Sequence, residues 1–475
     1  MLRPRVGLLV FSESLAREDV YQKRKPIADR EVERFARAIG EEVEIVWPAS
    51  RELRGKRDAL RAVEELQGRG LDAMVLYVPI FIAPAVVAHT ARLLNLPSAL
   101  ACNEAEDSLS QLAFLAVGGA MDQIGVKCAR MPGDAAREPT RTHLVRFLRA
   151  AAVKTRLRGE TFGCLGGRAL GISTGTADPA LWERLFGVDI DHVDQLEIVR
   201  RAEELEPSLV EKHVAWLKER AGNVEFNDTN FTPRHLDKQV RSYLATREIA
   251  RRNEWDFLGV KCQPEMSNGY CLQCINVALC NDPYDADGPK PPLPCSCEAD
   301  ADGALTMRIL NLLGGDKPTS LNDIAWMSDR EMTLANCGSM ATYFARFSDV
   351  PETSLAGVDL VPHSFGEAGG AATRFTVPEG ALMTFARLFR KGARYHLGVF
   401  TGTTTEKDRE RQSPTIRTRP LVFVQMHLDK THFLETFGSN HVLAVEGDLK
   451  PELEMLASLL GIGHTDYDVC SQEER

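Results

Sequence analysis

Two kinds of chemistry-bearing side chain lie side by side in residues 293–313, LPCSCEADADGALTMRILNLL. Cys295 and Cys297 offer thiolates, which suit a soft or borderline metal ion. Glu298 offers a carboxylate, which suits a hard cation. The sequence therefore poses a choice between a thiolate cluster and a carboxylate metal site.

The thiolate alternative draws on Cys271-x2-Cys274-x5-Cys280 followed by Cys295-x-Cys297. The first spacing occurs in zinc sites, but no second C-x2-C or H-x3–5-H pair completes a zinc ribbon. Cys271 and Cys274 also lie in the apolar helical pattern CLQCINVALC. This pattern favours core packing over a structural metal, and a structural metal over redox chemistry.

The carboxylate alternative depends on the position of Glu298. The segment that follows it, DADGALTMRILNLLGG, has apolar residues at helical spacing and a glycine stop signal. A carboxylate at the positive end of a helix is stabilised by about 0.3–1 kcal/mol, so capping alone would explain it. Taken by itself, Glu298 is more often a helix cap than a metal ligand.

Two histidine patterns could add an imidazole to such a site. His427 and His432 form an H-x4-H pattern in MHLDKTHFL, which is more typical of a solvated hairpin turn. His441 is the better candidate, because Gly438 and Asn440 indicate a tight turn that presents it at the start of a strand.

The elements that must position these residues follow from periodicity. From residue 5 to about 150, apolar runs such as RVGLLVF and DAMVLYVPI alternate with amphipathic helical patterns, which predicts βαβ units and a parallel sheet. The pattern restarts with TFGCLGGRALGI, continues through a helical section over 195–252, and reaches the strand-like DFLGVK. The glycine turn in this segment lacks a full G-x-G-x-x-G, which disfavours a dinucleotide site.

Beyond residue 340 the segments alternate and are rich in turns, as antiparallel strands are. The expected fold is therefore α/β, with two Rossmann-like α/β domains that contain parallel sheets, followed by a mainly antiparallel β C-terminal domain. The expected domains are residues 1–155, residues 156–330 with Glu298 and Asp323, and residues 331–475 with His441. Residues 281–294 and 404–419 are expected to be loops.

Composition excludes several classes of protein. The chain has 475 residues, of which 44% are hydrophobic and 26% charged, as expected of a globular protein with several domains. The net charge of −10 and the pI near 5.7 disfavour a nucleic-acid partner. We expect no membrane segment, no signal peptide and no disulfide, and hence a cytoplasmic location.

Several segments of the chain can be compared with a known family, and they follow one another in the order found there. They are GCLGGRALGISTGTADPALWERLFGVDIDHVDQLEIVRRA, VKCQPEMSNGY, CEADADGALTMRILNLLGG, LNDIAWMS, LANCGSMA and FGSNHVLAVEGDLKPELEMLASLLGI. Together these segments resemble the L-fucose isomerase family, with the L-arabinose isomerases as more distant relatives. The resemblance spans nearly the whole chain. It implies an enzyme that interconverts an aldose, of the L-fucose or D-arabinose type or a related sugar, with its ketose through an ene-diol intermediate.

The resemblance assigns roles to individual residues. Glu298, Asp323 and His441 fall on the family's metal ligands, and the two carboxylates also fall on its catalytic base and acid, without a decision between them. The residues that fall on substrate-contacting positions are Gln263, Ser339 and Asn440.

This ligand set suits a particular metal. Two carboxylates and one imidazole leave room for two sugar oxygens and a water around an octahedral ion, so Mn²⁺ is the expected cofactor, with Mg²⁺ or Co²⁺ as alternatives. The ion would polarise the carbonyl and stabilise the developing enediolate.

Two further expectations concern assembly and an alternative function. Family members form trimers or hexamers in which a first-domain loop reaches a neighbouring site, so SESLAREDVYQKRK, with Arg17 as a substrate-binding residue, is expected to complete an adjacent cleft. The alternative is a non-catalytic sugar-binding protein with hinged α/β domains, which would use Gln263 and Asn440 without turnover.

Overall fold

The computed structural model describes residues 1–13 and 17–469. The chain forms two compact units, the first made of residues 2–157 with 458–460, the second of residues 158–457 with the segment from 461 onward. The predicted domain boundary at residue 330 lies inside the second unit and stays a prediction. No helix of the described residues is long and apolar enough to cross a membrane.

The first unit is an α/β layer structure. Its strands are β1 (Arg5–Val10), β2 (Glu44–Val46), β3 (Ala73–Tyr77), β4 (Ser98–Cys102) and β5 (Ala129–Asp134). Its helices are α1 (Glu18–Ile39), α2 (Lys56–Leu66), α3 (Pro84–Arg92), α4 (Ser110–Gln123) and α5 (Thr140–Arg156). The strands form one sheet in the order β2-β1-β3-β4-β5, and all pairs are parallel. The predicted parallel sheet is confirmed.

One local expectation in this unit is wrong. The segment SESLAREDVYQKRK is predicted as a loop, but α1 begins at Glu18, so its second half is helical. Acidic Glu18 and Asp19 occupy the first turn of α1, where they complement the helix dipole. Residues 14–16 of the predicted loop lie outside the described residues.

The second unit contains the remaining elements in chain order, apart from residues 458–460 at the end of the last helix. Its strands are β6 (Thr161–Leu165), β7 (Asp189–Val193), β8 (Asn223–Val224), β9 (Phe257–Val260), β10 (Tyr284–Asp285), β11 (Gly288–Pro289), β12 (Cys295–Cys297), β13 (Ser320–Met327), β14 (Glu331–Ala335), β15 (Asp359–Pro362), β16 (Ala371–Arg374), β17 (Leu382–Lys391), β18 (Arg394–Thr404), β19 (Leu421–Gln425), β20 (His441–Glu446) and β21 (Gly463–Asp466). Its α-helices are α6 (Pro179–Phe186), α7 (Leu196–Glu204), α8 (Pro207–Arg220), α9 (Pro233–Arg252), α10 (Glu265–Gly269), α11 (Cys274–Asn281), α12 (Ala301–Gly314), α13 (Pro351–Leu355), α14 (Lys430–Thr436) and α15 (Lys450–Leu460).

Two main sheets organise this unit. The first is parallel, in the order β12-β9-β6-β7. The second, in the order β17-β20-β13-β14-β19-β18-β21, is antiparallel except for the parallel pair of β18 and β21. It closes on itself, because β17 also pairs with β18. The predicted change from parallel to mainly antiparallel strands is confirmed, although it begins at residue 320, with β13, rather than beyond residue 340.

Helix α12 connects the two sheets. It contacts β9 and β12 of the parallel sheet and β17 and β20 of the antiparallel sheet. Nearly all of its residues are buried, including the polar Asp302, Thr306 and Asn311, so the helix is enclosed by other parts of this unit. It ends at Gly314 and is followed by Gly315, whose φ of 72° is the left-handed conformation that glycine adopts at helix ends. The position of α12 places its N-terminus between the two sheets.

Candidate metal centre and active site

Glu298 lies where the parallel sheet meets α12. It follows β12, whose Cys297 pairs with Val260 of β9, and so lies at the carboxyl edge of the sheet, where ligand sites of α/β folds form. Both Glu298 (φ 60°) and Ala299 (φ 50°) adopt left-handed backbone conformations. Such conformations cost non-glycine residues about 1–3 kcal/mol each and are concentrated at functional sites.

Asp323 and His441 lie on neighbouring strands of the antiparallel sheet. Asp323 of β13 is directly opposite His441, the first residue of β20. Asp323 Oδ1 is 3.4 Å from Nε2 of His441. Asp323 therefore belongs to the same sheet as His441, and the predicted strand start at His441 is confirmed.

Of the three predicted metal ligands, the two carboxylates approach the same nitrogen of the third, Nε2 of His441. Glu298 Oε2 lies 3.6 Å from Nε2 of His441, on which Asp323 also converges. Oε2 of Glu298 is buried and has no hydrogen-bond partner in residues 1–13 and 17–469. Asp323 is the more open carboxylate, with 38% of its side chain exposed against 14% for Glu298. The site is thus closed on the Glu298 side and accessible from the Asp323 side.

Asp300 fixes the orientation of the imidazole. Its Oδ2 lies 2.7 Å from Nδ1 of His441 and accepts a hydrogen bond of 2.5 Å from Arg387, whose second terminal nitrogen bonds the other carboxylate oxygen. Asp300 also caps α12, because it accepts a hydrogen bond from the N–H of Gly303. The cap of α12 is therefore Asp300 and not Glu298, which leaves the Glu298 carboxylate available for another role.

The charges of the site are strongly coupled. Burial raises the pKa of Glu298 to about 7, and negative charge on the neighbouring Cys337 sulfur acts in the same direction. Burial would also raise the pKa of Asp300, but Arg387 and His441 hold it well below its usual range. Burial opposes the charged form of His441, yet its hydrogen bonds to Asp300 and Asp323 raise its pKa to about 10.

The donor set fits a divalent metal ion. Imidazole and carboxylate ligands suit Mn²⁺, Mg²⁺ and related ions, and the buried Oε2 of Glu298, which has no hydrogen-bond partner among the described residues, could bind a cation. The contact of Nδ1 with Asp300 directs Nε2 toward the carboxylates, as is usual for metal-binding histidines. The residues that could hold the ion are Glu298, Asp323 and His441.

A second group of potential ligands lies elsewhere in this unit. Among the described residues, His213, Asp285 and Asp287 are the only His, Cys, Asp and Glu residues whose three potential ligand atoms all lie within 4.8 Å of one another. Their carboxylates are already paired, because Arg247 Nη1 lies 2.7 Å from Asp285 and 2.8 Å from Asp287. By the same criterion, the ligand atoms around His441 are less tightly grouped than those around His213.

The predicted substrate-binding residues differ in their proximity to this centre. Asn440 is part of it, because its amide donates a hydrogen bond of 3.2 Å to Oδ1 of Asp323. Gln263 is half-buried and follows β9, the strand next to β12 at the same edge of the sheet. Ser339 is buried, with its hydroxyl 3.3 Å from Cys337 Sγ, and Cys337 Sγ is 3.1 Å from Cys297 Sγ.

Arg17 lies in the first unit, immediately before α1. Its side chain is 81% exposed and pairs with Asp19 at 3.0 Å. A role for Arg17 in the site of a neighbouring subunit stays a prediction.

The five cysteines between residues 271 and 297 are all buried. Among the described residues, no three of the chain's cysteines bring their thiols within 4.8 Å of one another, so the structure contains no ready three-thiolate site there. Core packing, which the sequence favours, agrees with their burial. The same search of the described residues groups neither His427 nor His432 with other ligands.

A cavity of about 460 Å³ opens beside Asp323. Its lining includes Trp326, whose side chain is 51% exposed, together with Ala325 and Ala335. A β-bulge between Ile324 and Trp326 interrupts the alternation of β13, which allows Ala325 and Trp326 to line the same cavity as Asp323. The cavity gives the candidate centre room for a small ligand.

Residues 334–467 match the family model described as "L-fucose isomerase, C-terminal domain". The match confirms the resemblance to the L-fucose isomerase family. The matched segment contains His441, Asn440 and Ser339, whereas Glu298 and Asp323 precede it. This C-terminal match links the chain to a family of sugar isomerases.

Two other comparisons add no functional argument. No curated protein matches the sequence. A solved structure, an ABC-transporter solute-binding protein from Burkholderia multivorans, is similar over 56% of this chain and 83% of its own, at 14% identity and a TM-score of 0.15. A likeness at that TM-score does not support the alternative of a sugar-binding protein.

Several residues of this candidate site are not evident from the sequence. Asp300 could have been found as a helix cap, because it lies three residues before Gly303 at the start of a helical pattern. Arg387 and Trp326 carry no comparable signal, since their roles depend on partners that are remote in the chain or on a bulge.

Proposed function

We propose that this chain is a divalent-metal-dependent aldose–ketose isomerase, with Mn²⁺ as its metal. The observation that carries the proposal is the convergence of Glu298 and Asp323 on Nε2 of His441, at 3.6 and 3.4 Å. Oε2 of Glu298 is buried without a hydrogen-bond partner among the described residues. Such a group needs an explanation, and a bound metal ion would supply one that core packing does not. The sugar isomerase family indicated by the C-terminal match supplies the reaction class.

Glu298, Asp323 and His441 would hold the metal ion. When bound, the ion supplies Lewis-acid polarisation of the sugar carbonyl and charge stabilisation at the two reacting oxygens. Asp300 keeps His441 oriented through Nδ1, and Arg387 keeps Asp300 ionised. These two residues are positioning residues, since neither is proposed to touch the sugar.

The carboxylates carry the proton transfers. One of them takes the proton from C2 of the aldose. The electron pair of that C–H bond forms the C1=C2 double bond, and the π pair of the C1 carbonyl moves to its oxygen, which gives the ene-diol. A proton is delivered to C1 and another passes from the hydroxyl at C2 to the oxygen at C1, which gives the ketose without any net loss of atoms. Glu298 and Asp323 share the roles of base and acid.

The remaining predicted residues would bind the sugar. Asn440 and Gln263 offer amides, and Ser339 a hydroxyl, for hydrogen bonds to its hydroxyl groups. A homo-oligomer, trimeric or hexameric, in which Arg17 contributes to an adjacent site is part of the same proposal. The enzyme is proposed to act in the cytoplasm.

The test is a panel assay for ketose formation with added Mn²⁺. The panel contains L-fucose, D-arabinose, L-arabinose, L-rhamnose and acidic sugars. We expect EDTA to abolish turnover and Mn²⁺ to restore it. We also expect Glu298→Gln to eliminate turnover without changing the circular dichroism spectrum. Asp287→Asn, in the other acidic group, is the matched control and retains turnover. Full activity of metal-stripped protein or of Glu298→Gln would refute the mechanism.

A further inference from the structure

The cavity beside Asp323 contains an uncompensated cation. Arg419 lines this cavity and is only 8% exposed. Its Nε and Nη2 atoms are shielded from solvent, and neither has a hydrogen-bond partner within the described part of the chain. Burial of a guanidinium group without an anion is costly. The cost is recovered if the group's counter-ion is supplied by a ligand.

The immediate surroundings of Arg419 do not neutralise it. The guanidinium stacks over the ring of Phe365, with its central carbon 4.7 Å from the ring centroid. That contact satisfies one face of the group but offers no acceptor for its N–H bonds. A ligand that carries acceptor oxygens would complete what the protein leaves open.

The rest of the cavity wall is also suited to an anion. Arg411 lines the cavity, with Gln412 and Ser413 beside it. Arg411 is 85% exposed, and its nearest carboxylate, that of Asp408, is 3.5 Å away. Among the described residues that line the cavity, Asp323 is the only acidic one, and it is a proposed metal ligand. The wall away from the metal centre is therefore neutral or positively charged.

Arg409 holds the segment that carries these residues in place. Its Nη1 donates hydrogen bonds of 2.6 and 2.7 Å to the carbonyl oxygens of Arg417 and Arg419. Its Nη2 donates to the carbonyl of Phe375 and, at 3.0 Å, to Thr376 Oγ1. Arg419 is thus presented by a braced segment, as a pre-organised binding group requires.

We infer that the substrate is an anionic monosaccharide, with a carboxylate, sulfonate or phosphate group on a carbon remote from C1 and C2. Arg419 binds that group while Asp323 faces the reacting carbons across the same cavity. Arginine suits this task because its planar donor array matches the oxygens of such groups. The inference rests on the proposed isomerase function and specifies its substrate class.

The test measures binding rather than turnover. Non-reacting alditols are used as probes with the full-length Mn²⁺-loaded protein, in pairs that differ only at C6: a neutral hexitol, its 6-phosphate, its 6-sulfonate and the corresponding hexonate. We expect at least one anionic probe to bind roughly 100-fold more tightly than the neutral one by calorimetry. The identity of that probe distinguishes phosphate, sulfonate and carboxylate.

Two variants at the same segment provide the comparison. Arg419→Met should remove the preference for the anionic probe, bringing the ratio of dissociation constants close to one. Arg417→Met is the matched control, because Arg417 is 42% exposed, pairs with Glu410 and does not line the cavity. It should keep the wild-type ratio. In the wild-type protein, inorganic sulfate should compete with the anionic probe, which needs no variant to fold.

The outcomes separate the two proposals. Any of three results would overturn the inference without affecting the isomerase proposal. These are equal or tighter binding of the neutral probe, a ratio of dissociation constants that Arg419→Met leaves unchanged, and no competition by sulfate. Tight, Arg419-dependent binding of an anionic probe by a protein that converts no aldose would support the anion site and refute the isomerase.

Discussion

Nδ1 of His441 lies 2.7 Å from Oδ2 of Asp300, inside a protein interior where both side chains are at most 2% exposed. Asp300 can carry its charge there because Arg387, itself fully buried, bonds both of its oxygens. The imidazole is therefore oriented by a carboxylate that depends on a third residue. This buried chain of three charged groups connects β17, α12 and β20.

Removing Arg387 should destabilise the protein strongly. Arg387→Met would remove the guanidinium that bonds both oxygens of the buried Asp300, and breaking a buried pair in this way costs about 3–5 kcal/mol. Urea unfolding followed by circular dichroism measures the loss. Arg394→Met, at the exposed start of β18, should change stability by no more than about 0.5 kcal/mol. Equal stability of the two variants would show that Arg387 does not support Asp300.

Asp282 should make stability depend on pH. It is fully buried and accepts hydrogen bonds from the N–H of Tyr343 and the hydroxyl of Thr342, while Lys290 is nearby. Burial raises its pKa to about 7, against these opposing contacts. The folded state therefore binds more protons than the unfolded state between about pH 4 and pH 7, and the contribution of Asp282 to stability is lost as pH rises through this range.

Asp282→Asn removes this titration. Its stability relative to the wild type should rise by roughly 1–3 kcal/mol between pH 5 and pH 8, since the amide cannot ionise. Thermal unfolding at pH 5, 6, 7 and 8 measures the difference in Tm. Asp228→Asn, at an exposed position, should show no such trend. If the difference in Tm between Asp282→Asn and the wild type is the same at every pH, the Asp282 carboxyl does not titrate with a raised pKa in the folded protein.

Metal binding should stabilise the folded protein through Glu298. Mn²⁺ at about 100 times its dissociation constant adds about 2.7 kcal/mol if it binds only the folded state. We expect a corresponding rise in Tm for the wild type and for Asp287→Asn, and little or none for Glu298→Gln. The reverse pattern, with the shift lost in Asp287→Asn, would assign the ion to the His213 group instead.

Trp326 should report ligand binding. Its half-exposed indole lines the cavity with Asp323, and Lys407 lies over its ring at 5.4 Å. A sugar that enters the cavity changes the solvent contact of the indole, so fluorescence should change with a dissociation constant equal to that from calorimetry. Trp326→Phe should lose most of the fluorescence change. If this variant responds as the wild type does, the sugar binds elsewhere.

Local sequence signals predict much of the fold. Apolar residues at helical spacing and the Gly314–Gly315 stop predict α12, which spans Ala301–Gly314. The alternation of apolar strands and helices predicts both parallel sheets, because these patterns reflect burial along a few consecutive residues. The segment after β1 is less predictable, since its polar residues also suit the exposed face of α1.

The site is only partly predictable for a physical reason. Glu298 and His441 attract attention through local features, a helix start and a strand start, whereas Asp323 is identified only by resemblance. The residues that support the site have partners remote in sequence: Arg387 bonds Asp300, 87 positions away. An uncompensated arginine such as Arg419 can be recognised only when its neighbours are known, because charge balance is a property of the packed structure.

The cross-strand pairing of Asp323 with His441 determines which substitutions could change the metal affinity of the proposed site. The antiparallel pairing of β13 with β20 sets the spacing of these two proposed ligands. Glu298 comes from a different layer, and its distance from the pair varies with any slippage of one layer against the other. Substitutions in α12 that shift one layer against the other should therefore change the distance of Glu298 from this pair, and with it the affinity of the proposed site for a metal ion.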